Sequence, residues 1–378
     1  MSTNKKIQMA DPKFTKNDVK HILSQTKGML NVALSLGKNV RKFEKNFAKY
    51  IGCKYAIATT SCTAALEIAV QSVCNEGEEV IIPAQTFIAT AMAVKLSRLN
   101  IKFVEISEKD FCIDFNDLKK KVSNQTKAII LVNFAGTISN DFDKIRNFCL
   151  KKKIFLIEDA AHSIGAEYKK RKSGILADVG CFSFYPTKVI TTGEGGMLTT
   201  NNKKIAEFAK SLQYRGRDLN SKTEIYINEG RNIRMQEFSA ILGLLQLKKI
   251  NSFLKRRRQI AKIYNKNISQ NIDAKLVLPK NYRNSSFWKI PVLIDKKFNR
   301  NEILNKLKKK GIIADVTYNP PVHLQPIIKK ICRTRKNHLP KTEKLLEHHI
   351  CLPCHQNMSF KDAEYVSKTF LKILKNSS

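Results

Sequence analysis

Lys188 closes the segment Phe182-Ser183-Phe184-Tyr185-Pro186-Thr187-Lys188, and Thr191-Thr192-Gly193-Glu194-Gly195-Gly196-Met197 follows almost at once. In a chain this rich in lysine, one Lys means nothing without its setting. Here the Gly-Glu-Gly-Gly turn lets backbone come close to a bound group, because Gly carries no Cβ. A lysine beside such a turn can form an imine with a carbonyl, for instance the aldehyde of pyridoxal phosphate (PLP). A second segment fits this chemistry. The apolar run Ile154-Phe155-Leu156-Ile157 is closed by Glu158-Asp159, with Ala160-Ala161-His162-Ser163 next. That pattern reads as a buried parallel strand ending at a site. Ligands of open α/β sheets bind outside the carboxyl ends of the strands. A carboxylate at the pyridine nitrogen keeps the ring protonated, and the protonated ring is the electron sink of PLP chemistry. The structural alternative for Asp159 is a helix N-cap before Ala160-Ala161.

The elements that position these groups are legible too. Tyr55-Ala56-Ile57-Ala58 reads as a strand. Thr59-Thr60-Ser61-Cys62-Thr63 leads from it into the helical run Ala64 to Val70. A helix start dressed with Ser and Thr is an anion site, here suited to a phosphate. An ordinary helix capped by Ser61 gives the same pattern. It is no Walker loop, and no G-x-G-x-x-G occurs.

Residues 1–36 are expected to form an N-terminal arm with a helix around Asn17 to Leu23. Strands and helices alternate from Val40 to about Ile250, with β segments at Val80 to Ile82, Ile101 to Val104 and Ala128 to Val132. Such alternation predicts a mostly parallel sheet covered on both faces. Phe238, Ile241, Leu242, Leu245, Ile250, Phe253 and Leu254 recur at near-helical spacing and mark a long linking helix. Beyond it, Phe287 to Ile294, a helix near Glu302 to Lys309 and a last helix through Phe370 and Leu374 make a small α+β unit. The predicted division is 1–250, arm and large cofactor-binding domain, and 251–378, helix continuation and small domain.

Composition bounds the reading. A chain of 378 residues with 43% hydrophobic content is long enough for a large core and more than one domain. Met1 to Gln8 has no apolar h-region and does not read as a secretory signal. No apolar stretch reaches membrane-spanning length, so a soluble cytoplasmic protein is expected. Nine cysteines, an odd count scattered along the chain, do not describe a disulfide framework. Cys351-Leu352-Pro353-Cys354-His355 matches the C-x-x-C-H haem pattern, and His348-His349 stand nearby. Without an export signal or a second C-x-x-C, neither haem nor zinc is favoured, and no metal is expected. Lys and Arg number 68 against 32 Asp and Glu, a net charge of +36. The basic clusters, among them Lys119-Lys120-Lys121, Lys151-Lys152-Lys153 and Lys255-Arg256-Arg257-Arg258, are dispersed. They lack the interleaved aromatics of single-strand binders, so a solvated surface is favoured over nucleic-acid binding. Positive charge would also steer an anionic substrate inward.

The chain resembles the DegT/StrS-type sugar aminotransferases within PLP fold type I. The matching stretches are Gly37 to Glu44, Thr60 to Leu66, Pro83 to Thr90, Glu158 to His162, the Lys188 segment, Gly230 to Met235 and His323-Leu324-Gln325-Pro326. The resemblance implies an α/β type I fold with a large mostly parallel-sheet domain and a smaller C-terminal domain. It implies Lys188 as the imine-forming lysine and proton shuttle, and Asp159 as partner of the pyridinium nitrogen. Ser183, Cys62 and Thr63 would hold the PLP phosphate, Phe87 would stack on the ring, and His162 would sit beside the ring oxygen. Asn232 would reach the phosphate of a neighbouring subunit's cofactor, making a homodimer with shared sites. Tyr318 and His323 are candidates for lining a sugar pocket, with small-domain packing as their alternative. Cys62 stands where many members have Gly, and Asn133 where His is common. The implied reaction moves an amino group from L-glutamate to a nucleotide-linked keto sugar, a 4-keto-6-deoxy sugar. Members that dehydrate sugars carry His in place of this lysine, so dehydration is disfavoured. The alternatives are a PLP-binding regulator or aminotransferase-like protein without sugar chemistry, and a basic nucleic-acid-binding protein.

Overall fold

A computed structural model describes residues 6–27, 34–280 and 282–377. Residues 1–5 and 28–33 of the predicted arm therefore lie outside the described residues. Within them α1 (Lys16–Lys27) contains the expected helix.

Seven strands form the central sheet: β1 (Tyr55–Thr59), β2 (Glu79–Pro83), β3 (Asn100–Val104), β4 (Thr126–Val132), β5 (Phe155–Asp159) and, after a small hairpin of β6 (Glu167–Tyr168) and β7 (Arg171–Lys172), β8 (Val179–Ser183) and β9 (Gly196–Thr200). Their spatial order is β1-β9-β8-β5-β4-β2-β3. Only β9 runs against its neighbours; β8, β5, β4, β2 and β3 are mutually parallel. The helix before the first strand is α2 (Lys38–Ile51), those between strands are α3 (Cys62–Gln71), α4 (Ile88–Leu96), α5 (Phe115–Lys121) and α6 (Phe142–Lys152), and α7 (Lys203–Gln213) follows β9.

Both faces of the sheet are covered, and β4 shows why its strands read as continuous apolar runs. Ile130 joins Ile157, Leu66, Val94 and Leu212 in a core under α3, α4 and α7. Its chain neighbours Ile129 and Leu131 point the other way, into a core with Leu118 of α5 and Ile145 and Cys149 of α6. Behind the Lys188 segment Phe47 of α2 packs edge-on against Phe182, and Phe43 lies tilted against Phe184. The start of α2 has no side-chain cap at Gly37. Instead the buried carboxylate of Glu237 accepts from the Asn39 and Val40 N–H groups, both at 2.9 Å. This charge-assisted contact satisfies donors that a helix start leaves open.

Glu237 opens α8 (Glu237–Ile268), an unbroken helix of 32 residues. Toward its middle it packs Ile250, Phe253 and Leu254 behind the large sheet. Its second half gives Ile260, Tyr264 and Ile268 to a separate core. That core lies on an antiparallel sheet of β10 (Ala274–Leu276), β11 (Ile290–Ile294) and β12 (His349–Leu352). Around it stand α9 (Arg300–Lys309) and α12 (Phe360–Lys375), while α10 (Pro326–Cys332) gives Ile328 to the large-sheet core and α11 (Pro340–Glu347) gives Leu346 to a small cluster with Phe111 and Phe134. The start of the chain joins this second core: Ile7 is buried in it and exchanges backbone hydrogen bonds with Gly311 and Ile313. Gln356 Nε2 donates to the Asp11 carbonyl at 3.0 Å.

The basic clusters divide into two kinds. Lys119, Lys120 and Lys121 occupy the last turn of α5, and Lys151 and Lys152 that of α6. There they oppose the negative end of each helix dipole. Arg257, expected on a solvated cluster, is instead 1% exposed. Its guanidinium donates to the carbonyls of Phe287 and Cys354 and to Gln356 Oε1. Burial is offset by those oxygens, which take the donors of Nη1 and Nη2, while Nε has no partner among the described residues.

Candidate active site

Strands β5 and β8 are parallel neighbours, with Asp159 opposite Cys181. Their carboxyl ends therefore open on one side of the sheet, and a cavity of about 490 Å³ lies there. Lys188, Asp159, Ser183, Cys62, Thr63, Phe87, His162 and Tyr318 all line it. Asn232 and His323 do not.

The wall at one end is the start of α3. Ser61 caps the helix, its Oγ accepting from Ala64 N–H, and Cys62 and Thr63 follow as the first helical residues. This is an ordinary cap and an anion-binding end at once, since the cap satisfies one of several open N–H groups. The approach depends on Gly196. A Cβ there would meet the Ser61 carbonyl and the Cys62 nitrogen at 2.3 and 2.6 Å, inside any tolerable contact. Ser183, paired with Gly196 across β8 and β9, brings its hydroxyl to the same end.

Asp159 lies at the floor, 6% exposed. Thr90 Oγ1 donates to its Oδ2 at 2.7 Å, and Ala161 N–H to its Oδ1 at 3.2 Å. No helix follows it, so the carboxylate is not an N-cap. Burial pushes its pKa up, while Thr90, Ala161 and the lysine at 188 pull the other way. The Lys188 side chain reaches the cavity with protein around it. Burial brings its pKa down to about 8; Cys62 and Asp159 work against this and Lys289 with it.

The opposite wall comes from the second core. Trp288 stacks on His162 at 3.7 Å between ring centroids, 19° from parallel. Its indole N–H donates to the Thr187 carbonyl at 2.8 Å, and Lys188 Nζ lies 4.2 Å from its ring centroid. Tyr318 Oη is 3.0 Å from His162 Nε2, and its ring faces Phe87 at 5.3 Å. Burial drives the His162 pKa well below its ordinary value, with Lys188 and Lys289 adding to it, so the imidazole is neutral. Its Nδ1 is buried without a hydrogen-bond partner among the described residues. Phe87 remains 53% exposed at the mouth.

Sequence reasoning did not include Trp288 in the site. The available signal was that it is the only tryptophan of the chain. Nor did it include Thr90, whose place within Pro83 to Thr90 was visible but whose hydroxyl contact was not. His323 is fully buried elsewhere, its Nε2 3.1 Å from Glu343 Oε1. Asn133 lies behind the site, its Nδ2 donating to Glu158, Ser163 and Ser173 in a buried network. Asn232 is exposed beside the end of β1, bridged to Tyr214, with its Oδ1 accepting from Arg234 Nε at 3.1 Å.

These residues fit PLP. A helix start with nearby hydroxyls suits a phosphate, a buried carboxylate suits a pyridinium, and a lysine of lowered proton affinity suits an aldehyde. The unpartnered His162 nitrogen awaits a polar group.

Comparison with known proteins agrees. Residues 16–371 match the DegT/DnrJ/EryC1/StrS aminotransferase family. A Campylobacter jejuni UDP-4-amino-4,6-dideoxy-N-acetyl-β-L-altrosamine transaminase is 34% identical over 366 residues, covering 94% of this chain and 95% of its own. Helicobacter pylori PseC, an aminotransferase involved in pseudoaminic acid biosynthesis, superposes with a TM-score of 0.91 at 28% identity, over 98% of this chain and all of its own. A Streptococcus pneumoniae protein described as a sugar aminotransferase, in its PLP form, gives 0.91 at 25% identity, over 99% of this chain and all of its own.

Proposed function

The chain belongs to the DegT/DnrJ/EryC1/StrS aminotransferase family, and from that premise we propose that it aminates a nucleotide-linked 4-keto-6-deoxy sugar, with L-glutamate as amino donor. It is a PLP-dependent aminotransferase of type I fold. The observation that carries the substrate reading is the continuous likeness, over nearly the whole chain, to a transaminase whose named compound is a 4-amino-4,6-dideoxy nucleotide sugar.

Bound PLP supplies a carbonyl carbon for amines and a protonated ring that draws electrons from the adjoining carbon. The chain's own residues do the rest. The start of α3 and the Ser183 hydroxyl would take the phosphate. The Asp159 carboxylate would hold a proton on the ring nitrogen, and Thr90 and Ala161 hold that carboxylate still. Phe87, at the cavity mouth, would lie against the ring. Lys188 Nζ takes the proton from the donor's amino-bearing carbon and later returns a proton to the sugar carbon. A pKa near 8 suits a group that must both accept and release a proton near neutral pH. Trp288, His162 and Tyr318 exclude water from that side.

The exposed Asn232 is free to approach a second subunit, and we assign it to the phosphate of a partner's cofactor in a homodimer. Among the described residues no helix is long and apolar enough to cross a membrane, and a cytoplasmic site of action fits the reaction. The test is a screen of UDP- and GDP-linked keto sugars with glutamate, reading amino sugar by mass. Wild type should aminate at least one and Lys188→Ala none. Amination by Lys188→Ala, or a PLP adduct trapped by borohydride on another lysine, would overturn the assignment.

A further inference from the structure

Lys289 stands next to Trp288 in sequence and is 8% exposed. Its Nζ donates to Asp315 Oδ2 at 2.5 Å and to Thr317 Oγ1 at 2.7 Å, and it lies 4.4 Å from the centroid of the Trp288 ring. Lys188 Nζ lies over the same ring. Two lysine nitrogens thus share one indole, and the second is fixed by a carboxylate and a hydroxyl. A lone buried lysine would cost free energy that only such partners offset. Thr317 leads into Tyr318, so one ammonium braces both aromatic residues that the second core contributes to the cavity. The Thr317 carbonyl is held in turn by Gln85 Nε2 and by His349, at 2.9 Å.

We propose that Lys289 is a positioning residue for Lys188, acting through the shared indole of Trp288 and through its charge. This rests on Lys188 being the reactive lysine. The two nitrogens are about 9 Å apart or less, given that both lie over one ring, and like charges at that distance disfavour each other's protonation. The burial-driven fall of the Lys188 pKa has Lys289 as a contributor. Other groups face Lys188 from every side. Asp159 comes from β5, Cys62 from α3, His162 from the turn after β5, Glu194 from the turn before β9 and Tyr318 from the second core. Asp159 and Cys62 oppose the fall, and His162 is neutral. Lys289 is therefore the cation of this set, and its charge adds to the burial that lowers the proton affinity of Lys188. A neighbouring cation is a known way to activate a lysine.

The test uses the full-length enzyme stripped of PLP. Trace acetic anhydride labels free amines, and peptide mass spectrometry reads Lys188 against a surface lysine across pH. Lys289→Met should raise the Lys188 titration midpoint by roughly one pH unit, and Lys289→Arg should restore it. Asp315→Asn, which leaves the cation uncompensated, should move the midpoint down by a smaller amount. A merely structural role would not give shifts of opposite sign. No movement in either variant, or movement in the same direction in both, would overturn the inference. If Lys289→Met does not fold, Asp315→Asn decides alone: a fall supports the inference and an unmoved midpoint overturns it. The labelling needs no cofactor, so its failure is distinct from a failure of Lys188 to bind PLP.

Discussion

Glu44 offers a sharp test of how the site's scaffold is held. It lies on α2, and its Oε1 accepts from the Ala58 N–H at 2.9 Å. β1 is an edge strand of the sheet, so Ala58 has no strand partner on its outer side and the carboxylate takes that role. The same strand delivers Ser61 and Cys62 to the cavity. Burial raises the Glu44 pKa from 4.5 to about 7, against the pull of the Ala58 N–H, Lys210 and Arg41. In the range between those two values the folded chain binds more protons than the unfolded one. Stability therefore falls as pH rises from about 4.5 to 7, and the penalty is complete above pH 7. The shift corresponds to about 3 kcal/mol. Glu44→Gln keeps an acceptor oxygen and never ionises, so it should match wild type near pH 4.5 and be more stable by up to about 3 kcal/mol at pH 8. For a chain of this size that is a rise of about 4 °C in melting temperature. Thermal melts of both proteins at several pH values make the comparison. A Glu44→Gln difference that is the same at pH 5 and pH 8, or of opposite sign, refutes the argument.

Three further outcomes concern the site. Asp159→Asn should retain PLP, because the phosphate contacts remain, but lose at least about a hundredfold in turnover through loss of the anion at the ring nitrogen; near-wild-type turnover would reduce Asp159 to a structural group. Gly196→Ala should fold yet bind PLP far more weakly, since its Cβ would push the start of α3 out of place; equilibrium dialysis with PLP reads this, and unchanged affinity would move the phosphate elsewhere. Mixing Lys188→Ala with Asn232→Ala subunits should restore part of the activity, because each mixed dimer would hold one site with both lesions and one intact. Verified subunit exchange with no activity regained would exclude a shared site.

Much of the fold was legible because central strands and their helices carry local signals. The strand ending at Asp159 and the long helix from Glu237 follow from apolar runs and helical spacing. Residues brought in from far along the chain were not legible. Trp288 meets Lys188 across about 100 residues of sequence, and nothing local to either one announces the contact. His323 sits in a segment that does approach the cavity through Tyr318, yet its own side chain turns to Glu343. The course of the backbone over the five residues from Tyr318 to His323 decides which of the pair faces the site. Arg257 misled for another reason. A run of four basic residues reads as a solvated face, but the helix turns each one through about 100°, and this one faces inward.

The burial of Ile7 among residues of the C-terminal core bears on how the molecule is made. A ribosome releases residues 7–11 some 300 residues before their partners Gly311, Ile313 and Gln356. At 5–20 residues per second that interval is on the order of 15–60 s. During it the sheet and its helices can close as a unit, while the leading segment has no groove to enter. The second core is therefore a late event in biosynthesis, completed when residues 7–11 and their partners at 311–356 are both present. Deleting residues 1–12 would leave a finished large sheet beside an unsealed core, the kind of partly folded species that chaperones retain.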